Sequence, residues 1–256
     1  MENALLVGLS RQDVLRRELD IVANNIANMN TTGYKADGAV FAEYLISNAR
    51  GEQFAPPDRR VSFVHDRMTW HDMSPGGVQQ TNNPLDIAID GNAFLVVQTP
   101  RGERYTRNGA LQINAAGELV TSAGDKVLGE SGPIVLTATD RNIVINPDGT
   151  IRVQEGPRAT TDTGRGKLRL VTFANPTQLR KDANSTFMAP TGVTPQPAST
   201  NVRLTQGALE RSNVRPVVEM TRMIELTRAY SEIANILQQQ SELRRGSIER
   251  LAEVPA

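Results

Sequence analysis

Apolar positions recur with a helical period at both ends of the chain and with a strand-like rhythm between them. Near the N-terminus, taking Leu5, Gln12, Leu19 and Ile26 as heptad a positions puts Gly8, Leu15 and Val22 at d. Arg11, Arg16, Arg17, Glu18 and Asp20 fall largely off that stripe, so residues 4–28 read as one helix with a narrow, coiled-coil-like seam. Asn28 or Asn30 is expected to end it in the left-handed conformation, and Gly33 to supply a positive φ in the turn that follows. At the other end, Met220, Met223, Leu226, Tyr230, Ile233 and Leu237 recur at spacings of three and four. Ser212 or Asn213 is the expected N-cap of that second helix, with Pro216 in its first turn.

Between about Val61 and Phe173 the pattern changes. Short β-branched runs ("LDIAI", "FLVVQ", "ALQIN", "ELVT", "PIVL", "NIVI", "TIRV", "KLRLVTF") are punctuated by the glycine turns "DGN", "PRGE", "AAGE", "SAGD" and "NPDGT". That rhythm predicts an antiparallel β domain, sandwich or barrel-like, without the strand–helix alternation of a doubly wound sheet. The expected organisation is α+β: residues 1–35 and 210–256 helical, 36–60 a connector containing "RGEQFAPPDRR", 61–189 β-rich, and 190–209 a Pro/Ser/Thr-containing connector.

Composition narrows the function. Among 256 residues, Lys+Arg and Asp+Glu both number 28, so the formal charge is zero and no basic face for nucleic acid or anionic lipid is indicated. Cys is absent, which excludes disulfides, thiolate metal sites and cysteine nucleophiles. The stretch "MENALLVGLSRQDVLRRELD" has no basic segment followed by an unbroken apolar run, so no cleavable secretory signal is expected. Nothing approaches the roughly 18 apolar residues of a membrane span, and no direct membrane insertion is expected. The two seams, however, are too narrow to hide all their flanks in a helix pair alone, so the terminal helices are expected to be loosely ordered in a monomer and fixed on assembly.

Candidate chemistry is sparse. His65 and His71, the two histidines, have no neighbours at metal-ligand spacing and are expected at the surface or in a plain hydrogen bond. Asp86 and Asp90 share a strand face about 13 Å apart at roughly 3.3 Å per residue, too far for a typical glycosidase pair. Asp90 is expected to start a tight turn and Asp86 to bond a loop backbone. A carbohydrate-active β enzyme is the weaker alternative; no catalytic, cofactor-binding or metal residues are assigned. Met29, Met220 and Met223 fit a seam or an adaptable surface. Arg244, Arg245 and Arg250 are balanced by Glu242 and Glu249 as a solvated helix end.

Five blocks, "DIVANNIANMNTTGYK", "TNNPLDIAIDGNAFLVV", "YTRNGALQINAAGELVTSAGDKVLG", "LVTFANPTQL" and "QGALERSNVRPVVEMTRMIELTRAY", together resemble bacterial flagellar basal-body rod proteins, in order and over most of the chain. The length and single modest β domain are most similar to the proximal-rod FlgF type, with the distal-rod FlgG type next; a hook-type subunit is a further alternative. The resemblance implies a structural, non-enzymatic subunit whose terminal helices pair as an inner coiled coil. It implies self-assembly with copies of itself and other rod proteins into the drive shaft that carries motor torque to the hook and is needed for motility. Passage unfolded through the type III export machinery to the rod cap, without a cleavable signal, and a final place in the periplasmic rod are further implications. The assembly interface implied is Leu5, Leu15, Leu19, Val22, Asn24, Asn25, Ile26, Asn28, Met220, Met223, Leu226, Tyr230, Ile233 and Leu237. For Asn24, Asn25 and Asn28 two readings stand: contacts to neighbouring subunits, or a capping cluster whose main partner is water.

Overall fold

The computed structural model describes residues 2–46, 61–156, 161–198 and 201–252 and, of these, the side chains of all but 2–6, 40–69, 244 and 247–252. Among the described residues, two long helices, α1 (Glu2–Ala27) and α2 (Pro216–Ala252), bracket nineteen strands. In chain order these are β1 (Asp37–Ile46), β2 (Val61–His71), β3 (Val78–Gln80), β4 (Ile87–Asp90), β5 (Ala93–Thr99), β6 (Gly102–Thr106), β7 (Leu111–Ile113), β8 (Leu119–Thr121), β9 (Lys126–Gly129) and β10 (Gly132–Pro133). They continue with β11 (Asp140–Ile145), β12 (Thr150–Glu155), β13 (Asp162–Lys167), β14 (Leu170–Thr172), β15 (Arg180–Lys181), β16 (Thr186–Met188), β17 (Gln196–Pro197), β18 (Arg203–Gln206) and β19 (Ala208–Glu210). The α+β class with a mostly antiparallel β middle is therefore as expected. The chain divides into two compact units: Met1–Ala27 with Asp37–Trp70 and Arg215–Ala256, and Asn28–Ala36 with His71–Val214.

In the helical unit, Leu15 and Val22 of α1 bury against Leu226 of α2, with Leu19, Ile26, Ala229, Tyr230 and Ile233 packed around them. Gly8 marks a close approach, since a Cβ there would lie 2.7 Å from Leu237 Cδ2. Strands β1 and β2 form a two-stranded sheet within the span read as a connector and the start of the β region. Trp70 lies over Gly38, where a Cβ would come within 2.5 Å of the indole Nε1.

Both expected helix caps are corrected. Among the described residues the non-glycine positions with positive φ are Asn82, Asn142, Asn184 and Ser185, so neither Asn28 nor Asn30 is left-handed. The chain leaves α1 through successive turns, Thr31 N donating to Asn28 O at 3.1 Å, and the left-handed residue is Gly33 at φ 65°. At α2 the first helical bond runs from Glu219 N to Arg215 O, which makes Arg215 the cap position. Ser212 Oγ accepts from Val214 N instead, and the Asn213 amide is occupied elsewhere, as described below.

The β unit is built around β5. Its neighbours in the largest sheet, ordered β15-β16-β6-β5-β9-β8-β7, are all antiparallel, and β14 also pairs with β5. Residues 93–97 are buried without interruption, because both faces of β5 are covered. Ala93, Leu95 and Val97 point into one core with Ile145, Ile151 and Val153 of the three-stranded β11-β12-β13 sheet and Leu204 of β18. Phe94 and Val96 point into a second core with Tyr105, Phe173 and Phe187, whose rings meet edge to face. The glycine turns fall where expected; at Gly117, φ is 79° and a Cβ would sit 2.3 Å from the Leu136 carbonyl oxygen. The run "PIVL" is strand only at its first residue, in β10, although Ile134 and Leu136 are still buried.

Candidate functional site

Among the described residues, a buried polar arrangement inside the β unit joins three segments far apart in sequence. Lys35 Nζ contacts Glu210 Oε1 at 2.7 Å, and Arg107 Nε contacts Glu210 Oε2 at 2.7 Å. The three side chains are 0%, 3% and 2% exposed for Lys35, Arg107 and Glu210. Burying charges is costly unless each is paired and its remaining hydrogen-bond positions are filled. Here they are filled by backbone. Lys35 Nζ donates to Ser74 O at 2.6 Å, Gly76 N donates to Glu210 Oε1 at 2.9 Å, and Arg107 spreads its guanidinium over the carbonyls of Ile89, Gly91 and Ala93. The Arg107 carbonyl contacts thus tie the β4–β5 connection to the triad.

Burial alone would raise the Glu210 carboxyl, but Arg107 and then Lys35, with hydrogen bonds from Lys35 and Gly76, outweigh it and hold the group below its ordinary value. Burial pushes the Lys35 ammonium down, against the pull of Glu210. Two cations share one anion, so the carboxylate is the member whose loss leaves like charges facing each other.

The turn that delivers Lys35 is itself pinned. Gly33 N donates to Glu210 O at 2.8 Å, and a Cβ at Gly33 would lie 2.5 Å from Asn108 N. Only glycine combines that approach with φ 65°. Thr32 Oγ1 donates to Asn108 Oδ1 at 2.7 Å, and Lys181 Nζ sits 3.4 Å from the centre of the Tyr34 ring. Asn213 closes the arrangement: its Oδ1 accepts from Ala36 N at 2.8 Å and its Nδ2 donates to Asp72 O at 2.8 Å.

The expected interface residues separate into groups. Leu15, Val22 and Leu226 form the buried helix cluster, with Leu19, Ile26, Tyr230 and Ile233 against it and Leu237 opposite Gly8. Met220 and Met223 stand outside it, 47% and 39% exposed, alongside Val217, Val218 and Ile224. Leu226 follows Val217 by nine residues, about 180° around the helix at 3.6 residues per turn, so α2 carries a second apolar face away from α1. Asn25 is 1% exposed: Asp37 N donates to its Oδ1 at 2.8 Å and its Nδ2 donates to Asp37 O at 2.9 Å. Asn28 Oδ1 accepts from Thr31 Oγ1, and Asn24 is exposed. Leu5, Arg244, Glu249 and Arg250 are in the helices with side chains outside the described set, as is His65 in β2; "RGEQFAPPDRR" lies outside the described residues.

Of the two places expected for His71, the surface is excluded: it is buried, edge-on to Phe187 at 5.8 Å, because the aromatic core extends to the end of β2. The Asp86 carboxylate accepts from Thr81 Oγ1 at 2.6 Å and Asn83 Nδ2 at 3.0 Å, while its backbone N donates to the Asn83 carbonyl of the same loop at 3.0 Å. Lys35, Arg107 and Glu210 were not singled out by sequence reasoning. Each ends or interrupts a motif, "TTGYK", "YTRNG" and "QGALERSN", but a single charged residue in a turn-rich stretch reads as surface.

Comparison with known proteins converges on the same three segments. Residues 5–35 match the flagella basal body rod protein model, 88–153 the flagellar hook protein FlgE/F/G D1 domain, and 205–249 the flagellar basal body rod FlgEFG protein C-terminal model. Each matched segment contributes one member of the triad. The flagellar basal-body rod protein FlgF of Caulobacter vibrioides is 39% identical over 99% of this chain and 100% of its own length. FlgF of Mesorhizobium japonicum is 33% identical over 93% of each chain, and the rod protein FlgG of Buchnera aphidicola 31% identical over 89% of this chain and 91% of its own. These relatives are structural components, not enzymes. With such identity extending from α1 through the β unit to α2, the chain belongs to the flagellar basal-body rod protein family.

Proposed function

We propose that this chain is a proximal-rod subunit of the flagellar basal body, assembling with copies of itself and with other rod and hook components into the shaft that transmits motor torque for motility. The observation that carries this reading is the second apolar face of α2: Val217, Met220 and Ile224 are 78%, 47% and 55% exposed and point away from the cluster that holds α1. Large apolar side chains gathered on one face favour a protein neighbour over water. In an assembled rod, α1 and α2 pair as a coiled coil through Leu15, Val22, Leu226 and their neighbours, and the opposite face of α2 meets adjoining subunits. Leu5, Asn24 and Asn28 extend that interface. Export through the type III apparatus and residence in the periplasmic rod follow from the same role, and the absence of Cys suits an unfolded passage.

Imaging basal bodies purified from cells expressing this chain, with a strain lacking it as control, tests the reading. Density for the chain in the proximal rod, and loss of motility on its deletion, are expected; placement in the distal rod would assign it the FlgG-type position, and absence from the rod would overturn the proposal.

A further inference from the structure

Lys35 and Glu210 are 175 residues apart in sequence, yet their segments are bonded directly to each other. Besides the ion pair, Gly33 N donates to Glu210 O at 2.8 Å, Asn213 N to Tyr34 O at 3.4 Å, and Ala36 N to Asn213 Oδ1 at 2.8 Å. Every group in this set, with Arg107 and Gly76, belongs to the β unit, and no helix supplies any of them. In sequence, α1 ends at Ala27, shortly before the first segment, and α2 starts at Pro216, shortly after the second.

We propose that the Lys35–Glu210–Arg107 triad is a clip that brings the chain ends leading to the two helices together, so that folding of the β unit sets up helix pairing before the helices touch. Without the clip, pairing α1 with α2 must close a loop containing nearly the whole β unit. With it, only the short tails beyond 33–36 and 210–213 remain to be closed. Closure probability falls as about the 3/2 power of loop length, so the clip raises the effective concentration of one helix at the other on the order of tenfold to a hundredfold. A charged clip also gives one register. The carboxylate of Glu210 offers two oxygens, each with its own cation, and the backbone donors and acceptors around them fit one arrangement only. An apolar contact at the same place would tolerate sliding. The segment "TTGYK" is thus part of the β unit's order, not of the helices'.

This inference is independent of the rod reading, because it is tested on the purified full-length chain by amide hydrogen exchange. In a Leu15→Asp/Leu226→Asp variant, which disrupts the helix cluster and leaves the triad intact, amides of 33–36 and 207–213 are expected to remain as protected as those of β4 and β5 while α1 and α2 exchange freely. If 33–36 exchange as fast as α1, their order comes from the helices and the proposal fails. In a Glu210→Gln variant, protection is expected to fall at least tenfold in both clipped segments and in the α1–α2 seam, with β5 and β6 unchanged. Unchanged protection of the seam overturns the clip, and loss of protection in β5 overturns it equally, by making the triad a requirement of the β core.

Discussion

Asn25 and Asp37 exchange two hydrogen bonds, the amide of one reproducing with the backbone of the other the reciprocal pairing of facing residues in an antiparallel ladder. The pair sits within the helical unit and ties the last turn of α1 to the first residue of β1. Asparagine is suited to this because one side chain carries both a donor and an acceptor without charge. Asn25→Ala removes both of these bonds to the Asp37 backbone and is expected to destabilise by about 1 to 3 kcal/mol. Asn25→Asp removes the donor and sets a carboxylate against a carbonyl oxygen, so it should be worse than alanine. Denaturant unfolding of the two variants, followed by helical circular dichroism, checks the order.

For the triad, charge makes a prediction that shape does not. Glu210→Gln leaves Lys35 and Arg107 buried without a counter-charge, and the expected cost is about 3 to 5 kcal/mol. Lys35→Met removes one of two cations and leaves the Arg107–Glu210 pair neutral, so it should cost clearly less. Amide exchange at residues 33–36 and 207–213 reads that cost as local opening, and equal opening of those segments in the two variants would contradict this electrostatic account.

Acid sensitivity has a second, separate source. Asp140 is held at about 2 by hydrogen bonds from Arg165, with burial opposing and Thr137 adding further bonds. Its folded value is below the unfolded one, so its contribution is fully present above about pH 4 and is lost as pH falls towards 2. Glu210 acts in the same direction, its carboxyl also being depressed. Lys35 differs: its folded value is depressed below 10.5, so the cost of burying its charge is present at neutral pH and relieved as pH rises towards that value. Arg165→Met is expected to return Asp140 towards its ordinary range in an NMR titration, leaving Glu210 where it was.

Gly33 is the turn residue on which the delivery of Lys35 depends. Alanine there would have to hold φ 65° and place its Cβ 2.5 Å from Asn108 N and 2.6 Å from the Arg107 carbonyl carbon, both backbone atoms that cannot swing aside. Gly33→Ala should therefore cost more than the roughly 1 to 2 kcal/mol of a left-handed alanine alone. Faster exchange at residues 31–36 is the expected signature.

How far the sequence reveals this molecule depends on the range of each interaction. The seam residues Leu15 and Val22 and the turns at Gly117 and Gly149 are local patterns, and they occupy the expected places. Met220 and Met223 precede Leu226 at two successive intervals of three, each of which turns about 60° around the helix, so they leave the face that Leu226 and Ile233 share and sit exposed. Strand β13, "DTGRGK", has no apolar alternation at all and is held by pairing to β12. The triad is the least legible feature: Lys35, Arg107 and Glu210 each look solvated until the tertiary fold brings them together.

The second face of α2 provides the test that separates assembly from folding. Val217 and Ile224 are 78% and 55% exposed, so Val217→Asp and Ile224→Asp remove little buried area within the chain, and the double variant should unfold within about 0.5 kcal/mol per substitution of the parent. Leu226 is 8% exposed in the helix cluster, and Leu226→Asp should loosen α1 from α2 in the isolated chain. If the exposed face packs against neighbouring subunits, the Val217→Asp/Ile224→Asp chain will be made and will fold, yet will fail to restore swimming to cells lacking the wild-type chain and will be missing from their basal bodies. A double variant that supports normal swimming would mean that this face stays in water in the assembled structure, and that the rod is held by other surfaces of the chain.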